Sequence, residues 1–201
     1  MKRTASSITA LIFDFDGTLV DTMPLHFEAY RRTLAEVGID LSEADFFSSI
    51  GGNARETIPK LLRGRPCPWT VAEIHARKKS LVSELFATSP IPVLETAHLL
   101  ELFAGHFRMA LASSGSRMGI EQILRRLEWM DRFDVIVTGE DVPNGKPAPD
   151  LFLLAAEKLG VEPGGCVVFE DTDAGVMAAE RGGMHVFDVR ATAAKSWARS
   201  T

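Results

Sequence analysis

The amino-acid sequence predicts an α/β fold: a doubly wound parallel sheet carrying a small inserted helical domain. Three features of the 201-residue chain support this. Short apolar runs recur five times, each suited to a strand buried on both faces. Apolar stripes at helical spacing lie between most of them, the alternation that builds parallel strand–helix–strand units. One interval, residues 20–91, breaks the alternation with helical stripes and no convincing strand.

The first strand is expected at 10–13, where Ala10, Leu11, Ile12 and Phe13 run straight into Asp14 and Asp16. The insert follows. Phe27, Tyr30, Leu34 and Val37 make one of its stripes, and Val71, Ile74, Leu81, Val82 and Leu85 make another. The chain then returns through Pro90 and Pro92, which stiffen an extended connector. Strands are expected next at 108–112 and 133–137, with a helix between them marked by Ile120, Ile123, Leu124 and Leu127. Pro147 and Pro149 precede a helix striped by Leu151, Ala155 and Leu159, and the last strands fall at 166–169 and 185–189. The division that results is a core domain of 1–19 and 92–201 and a helical domain of 20–91. Residues 190–201 are expected to be a loosely held tail.

With 46% apolar and 24% charged residues, the composition is that of an ordinary globular protein. A net charge of -5, with no basic run longer than Arg77, Lys78 and Lys79, argues against a nucleic-acid partner. No window approaches the ~20 apolar residues of a membrane span. Lys2 and Arg3 precede an apolar segment that Asp14 ends too early for a signal peptide, so the chain is expected to act as a mature soluble protein. Cys67 and Cys166 lie far apart, and Cys166 sits in an apolar run, which favours free thiols and a reducing cytoplasm. A monomer is the default expectation.

In a doubly wound sheet, ligands collect outside the carboxyl ends of the strands. The polar residues of this chain fall there. The first strand ends in Asp14, Asp16, Gly17 and Thr18; the second in Ser113, Ser114, Gly115 and Ser116; the fourth in Glu170, Asp171, Thr172 and Asp173. Lys146 stands in a proline-braced loop before the fourth. Each piece alone has an ordinary reading as a helix cap, a turn or a solvated lysine. Together they place acids at several strand ends, and two carboxylates ~4 Å apart repel by about 4 kcal/mol at an effective dielectric of ~20. A cation would offset that, and oxygen ligands without histidine or cysteine favour Mg²⁺ over zinc. The remaining groups suit a phosphate. Gly17, Ser114 and Gly115 let backbone N–H groups approach an anion, the hydroxyls of Thr18 and Ser113 can donate, and Lys146 adds a positive charge.

The strings DFDGTLVD, LASSGS, GKPAPD and VVFEDTDAGVMAA together resemble the four motifs of the haloacid dehalogenase superfamily, in its β-phosphoglucomutase-like branch. The likeness spans nearly the whole chain and implies a Rossmann-type core with a small helical cap. It implies Asp14 as the nucleophile that attacks phosphorus, Asp16 as general acid and then base, and Ser113 and Lys146 as holders of the phosphoryl oxygens. Mg²⁺ would lie against Asp14, Asp171 and the backbone carbonyl of Asp16, with Glu170 supporting it through water. In related mutases, the positions of His26 and Arg55 contact the substrate. Gly51, Gly52 and Asn53 ahead of Arg55 suit anion recognition, with a simple helix cap there, and a packed or exposed histidine at 26, as the alternatives. Lys78 is either a further substrate contact or part of a solvated helix face. The segment from Pro90 to Glu95 departs from the Pro-Gly turn of many mutases and looks closer to bacterial fructose-1-phosphate-type phosphatases. The expected activity is therefore hydrolysis of a small phosphorylated sugar. A phosphosugar mutase and a non-catalytic phosphometabolite-binding module are the alternatives.

Overall fold

The computed structural model describes residues 7–49 and 54–191. Five strands, β1 (Ala10–Phe13), β2 (Arg108–Ser113), β3 (Val135–Thr138), β4 (Cys166–Glu170) and β5 (His185–Asp188), form one sheet in the order β3-β2-β1-β4-β5. Every pairing is parallel. The chain winds outward from β1 to β2 and β3, then crosses back to build β4 and β5 on the other side. The reversal therefore falls between β1 and β4.

Strand periodicity assigns the two core layers. Leu11 and Phe13 pack with α5 (His98–Leu102) and α6 (Arg117–Arg126), while Ala10 and Ile12 pack with α7 (Asp150–Leu159) and α8 (Asp173–Arg181). The β1–β4 register pairs Phe13 with Phe169, whose rings stack at 4.7 Å. That register brings the next residues, Asp14 and Glu170, out of the sheet side by side.

β2 and β4 run one residue past the expected ends and β5 stops one short, and two strands depart further from the sequence expectation. β3 begins at Val135 and not at 133, because Asp134 is held beside β2: its carboxylate accepts the Met109 N–H at 2.8 Å. β5 has one half-buried and one exposed face, since it is the edge of the sheet and no strand or helix covers its outer side among the described residues.

The interval from 20 to 91 holds α1 (Met23–Ala35), α2 (Glu43–Ser49), α3 (Ala54–Leu62) and α4 (Val71–Thr88). Pro24 sits in the first turn of α1, and Thr70 with Glu73 forms a reciprocal capping box at the start of α4. These helices bury a cluster of their own, including Tyr30, Leu34, Phe46, Ile58, Leu61 and Ile74. Ala29 of α1 and Leu81, Val82, Leu85 and Phe86 of α4 instead join the layer on the sheet. Val20 bridges both Asp16 and Val93, so the outgoing and returning connections are tied together. Both cysteines are free thiols. No helix among the described residues is long and apolar enough to cross a membrane. The expected C-terminal tail lies, beyond Ala191, outside the described residues.

Candidate active site

Strand ends assemble the site. Asp14, Glu170 and Asp171 each offer a carboxylate oxygen, all within 4.8 Å of one another. Asp14 and Glu170 are buried, Glu170 completely. Lys146 reaches between them, its ammonium donating to Asp14 Oδ1 at 2.5 Å and to Glu170 Oε2 at 2.6 Å, with the Phe152 ring beneath it at 4.9 Å. Burial alone would lower the lysine's proton affinity, but the two carboxylates raise it above the usual range, so Lys146 stays charged.

Glu170 is fixed from its other oxygen as well. Oε1 accepts from the backbone N–H groups of Asp171 (3.1 Å) and Thr172 (2.9 Å) and from the Thr172 hydroxyl (2.8 Å). Gly175 makes room for this carboxylate, since an added Cβ would stand 2.0 Å from it. Gly17 does the same for Asp171: its φ is +90° and a Cβ there would meet Oδ2 at 2.2 Å. The Thr18 hydroxyl, expected to meet a phosphate, is completely buried and donates to Asp171 Oδ1 at 3.0 Å. In this structure it orients a carboxylate of the cluster.

Asp16 faces a second set of partners. It accepts from Ser113 Oγ at 3.3 Å and from the hydroxyl of Thr22, and His26 Nε2 stands 3.7 Å from Oδ1, beyond a direct hydrogen bond. Lys78 bonds the other ring nitrogen of His26 at 2.8 Å and lies over the Tyr30 ring at 5.1 Å. Burial pushes the Asp16 carboxyl upward, but His26, Thr22 and the charge of Lys78 outweigh it and leave the group below its ordinary value. Burial also draws Lys78 down to about 8, and burial with Lys78 alongside lowers His26. The basic run thus divides. Arg77 pairs with Glu36, Lys79 with Glu140, and Lys78 alone turns toward Asp16.

Of the other expected residues, Ser113 is buried and also accepts the Gly115 N–H at 3.0 Å, whereas Ser114 is exposed beside it. Gly51, Gly52 and Asn53 and the side chain of Arg55 lie outside the described residues. Sequence reasoning gave no role to Thr22, Thr172 or Gly175. A Thr-to-Gly spacing of three after the fourth strand, with Thr172 Oγ1 accepting the Gly175 N–H at 3.0 Å, is a capping signature that pointed to the last two. Thr22 holds the N-cap position of α1, yet its hydroxyl goes to Asp16 and leaves the helix without a side-chain cap. A cleft of about 300 Å³ lined by Phe107, Asp131 and Asp134 opens at the amino ends of β2 and β3, away from all these groups.

Three carboxylates and one ammonium leave a formal charge of -2 in a largely buried space. Burial, with Glu170 and Asp171 alongside, holds the Asp14 carboxyl well above its usual range despite Lys146; burial and Glu170 push Asp171 to about 6. The donor set is all oxygen, and its excess charge fits a divalent cation held by Asp14 and Asp171 with Glu170 close by. The raised value of Asp171 means that its folded form binds the proton more tightly than the unfolded chain. Metal-free stability from this group is therefore present below about pH 4 and lost as pH rises through about 6. In chelated buffer, Asp171→Asn should become more stable relative to the unmodified protein as pH goes from 5 to 7, and it should lose any Mg²⁺-induced rise in Tm. Paired thermal melts across that range test this; a constant difference would remove Asp171 from the charge excess.

A family model described as haloacid dehalogenase-like hydrolase matches residues 11–189. A phosphorylated carbohydrates phosphatase of Thermotoga maritima is 38% identical over 179 residues, covering 87% of this chain and 82% of its own. A fructose-1-phosphate phosphatase of Escherichia coli is 32% identical over 182 residues, covering 90% of this chain and 95% of its own. The crystal structure of a β-phosphoglucomutase from Clostridium difficile superposes with a TM-score of 0.75 at 27% identity, covering 90% of this chain and 84% of that one.

Proposed function

The chain belongs to the haloacid dehalogenase-like hydrolases, and from that membership we propose that it is a Mg²⁺-dependent phosphatase of small phosphorylated sugars, working through an aspartyl-phosphate on Asp14. The observation that carries the reading is the convergence of Asp14, Asp16, Ser113, Lys146, Glu170 and Asp171 at the carboxyl ends of β1, β2 and β4, beside the reversal of winding. The relatives named as sugar phosphatases support the substrate class.

In this reading Asp14 attacks phosphorus with its carboxylate, the bond from phosphorus to the sugar oxygen breaks, and Asp16 gives that oxygen its proton. Asp16 rests ionised at neutral pH, so it must gain a proton before this step, and the arriving phosphoryl dianion raises its affinity for one. Asp16 then takes a proton from water as the water oxygen displaces Asp14 from phosphorus. Inorganic phosphate leaves, Asp14 is a free carboxylate again, and Asp16, left protonated by the water, gives that proton to solvent and regains its resting ionised form. Lys146 spends two N–H groups on Asp14 and Glu170, which leaves its third for a phosphoryl oxygen, and the single O–H of Ser113, given to Asp16 in this structure, would turn to another when the phosphoryl group arrives. When bound at the acidic cluster, Mg²⁺ offsets the phosphoryl charge and that of the carboxylates. The helices of 20–91 form the cap, with His26 and Lys78 its contribution beside Asp16 and Arg55 a candidate for the distal part of the substrate.

The test is phosphate release from fructose 1-phosphate, glucose 1-phosphate, glucose 6-phosphate and phosphoglycolate with Mg²⁺, with chelator as control. Release that survives complete metal removal would sink the metal assignment. Asp16→Ala should keep Mg²⁺ binding and lower turnover by about 10² or more; unchanged turnover would exclude Asp16 from proton transfer. The β-phosphoglucomutase match favours a second reading, a phosphosugar mutase. In that case the esters alone give no phosphate, and a hexose bisphosphate primer starts interconversion of the hexose monophosphates.

A further inference from the structure

Gly119, Gln122 and Arg126 fall at i, i+3 and i+7 on one face of α6, and all three meet α4. Gln122 exchanges two hydrogen bonds with Ser83. Its amide donates to the Ser83 carbonyl at 2.9 Å, and its Oε1 accepts from the Ser83 hydroxyl at 3.1 Å. Arg126 donates to the carbonyls of Phe86 and Ser89, the second at 3.0 Å, where the end of α4 leaves carbonyls without helical partners. Gly119 faces the ring of Phe86, which a Cβ there would touch at 3.4 Å.

The seam leads to Asp16 by two routes. Phe86, seated against Gly119, presents its ring edge-on to His26 with centroids 5.5 Å apart. Lys78, five residues before Ser83 on the same helix, bonds His26 directly. His26 in turn stands beside Asp16. Apolar packing between two helices leaves sliding relatively cheap, whereas a reciprocal hydrogen-bonded pair holds only at one register.

We infer that Gln122 is a positioning residue: its paired bonds to Ser83 set the register of α4 on α6, and through Phe86 and Lys78 the place of His26 beside Asp16. The inference rests on the proposed role of Asp16. Gln122 itself makes no hydrogen bond to Asp14, Asp16, Lys146, Glu170 or Asp171 among the described residues, so it acts through α4 alone.

Gln122→Met keeps side-chain length and removes both bonds. Gln122→Glu keeps the acceptor for the Ser83 hydroxyl and loses the donor to the carbonyl. Three readouts separate positioning from mere support: the His26 ring-proton chemical shifts at one fixed pH, thermal unfolding, and kcat beside half-inhibition by inorganic phosphate. In Gln122→Met the His26 shifts should move, kcat should fall about tenfold, as a modest misplacement of a supporting group costs, and phosphate inhibition should hold within about twofold because Asp14 and Lys146 are untouched. Gln122→Glu, which sets a carboxylate oxygen against the Ser83 carbonyl, should move the His26 shifts and lower kcat at least as much, and no change in either overturns the inference. A lowered Tm with kcat and the His26 shifts unchanged below the transition overturns the inference. Should Gln122→Met fail to fold, Ser83→Ala removes one bond and keeps the carbonyl acceptor; it should lower kcat about threefold and move the same shifts, and no change in either overturns the inference. If the unmodified protein releases no phosphate from any ester, the proposed chemistry fails, and the His26 shifts alone decide: moved in Gln122→Met, they uphold the positioning role, and unmoved they overturn it.

Discussion

Asp14→Asn is expected to lower phosphate release by about 10⁴ or more, the loss typical of removing a covalent nucleophile, while the protein stays folded. The amide keeps an acceptor oxygen for Lys146 in the same volume, so the change is confined to charge and nucleophilicity. Its effect on stability has a definite sign. The folded-state affinity of Asp14 for its proton is raised by burial and by Glu170 and Asp171, so the group favours folding below its unfolded value, near pH 4, and that contribution is lost as pH rises toward the raised value. A neutral amide should therefore equal or exceed the unmodified protein in Tm at pH 7 in chelated buffer. With Mg²⁺ the order should reverse, since the variant lacks one carboxylate of the acidic cluster proposed to hold the ion. Stopped assays with a sugar phosphate, run beside melts with and without Mg²⁺, read all three effects. Residual turnover above about 1% of normal, which a lost nucleophile does not leave, would mean that phosphorus is attacked by something else.

Lys146→Met should be the most destabilising change at the site. The thioether keeps the stem packed over Phe152 but leaves Asp14 and Glu170, both buried, without their shared ammonium. Removing one partner from a buried ion pair costs about 3–5 kcal/mol. Release of phosphate should fall by about 10³ as well if Lys146 donates to the phosphoryl oxygens as proposed. The stability loss should shrink as pH is lowered from 7 toward 5, because Asp14, already held at a raised value, takes up a proton and relieves the repulsion. Urea unfolding at the two pH values measures this. A difference from the unmodified protein of less than about 1 kcal/mol at pH 7, the scale of an exposed pair, would show that Lys146 is not the counterweight in the cluster.

The sheet was legible because strands buried on both faces write continuous apolar runs, and β1, β2 and β4 begin where those runs begin. The acids were legible for a related reason. A polar residue that ends such a run stands at the strand's carboxyl end, as Asp14 and Glu170 do. The helices of 20–91 were readable from their stripes, yet the stripes could not say that Val82, Leu85 and Phe86 belong to the layer on the sheet while Ile74 of the same helix belongs to another cluster. Periodicity reports which face of a helix is buried and not what buries it.

Local order along the chain determined the strands, the carboxylates at their ends and the interruption by helices, because each depends on side chains within a few residues of one another. Partners distant in sequence were decided by folding alone. Thr18 turns to Asp171, 153 positions away; Lys146 shares its charge with Asp14 across 132; Lys78 finds His26 across 52. A hydroxyl or an ammonium has the same chemistry wherever it stands, and only the packing of β1 beside β4 and of α1 beside α4 chooses which acceptor it meets.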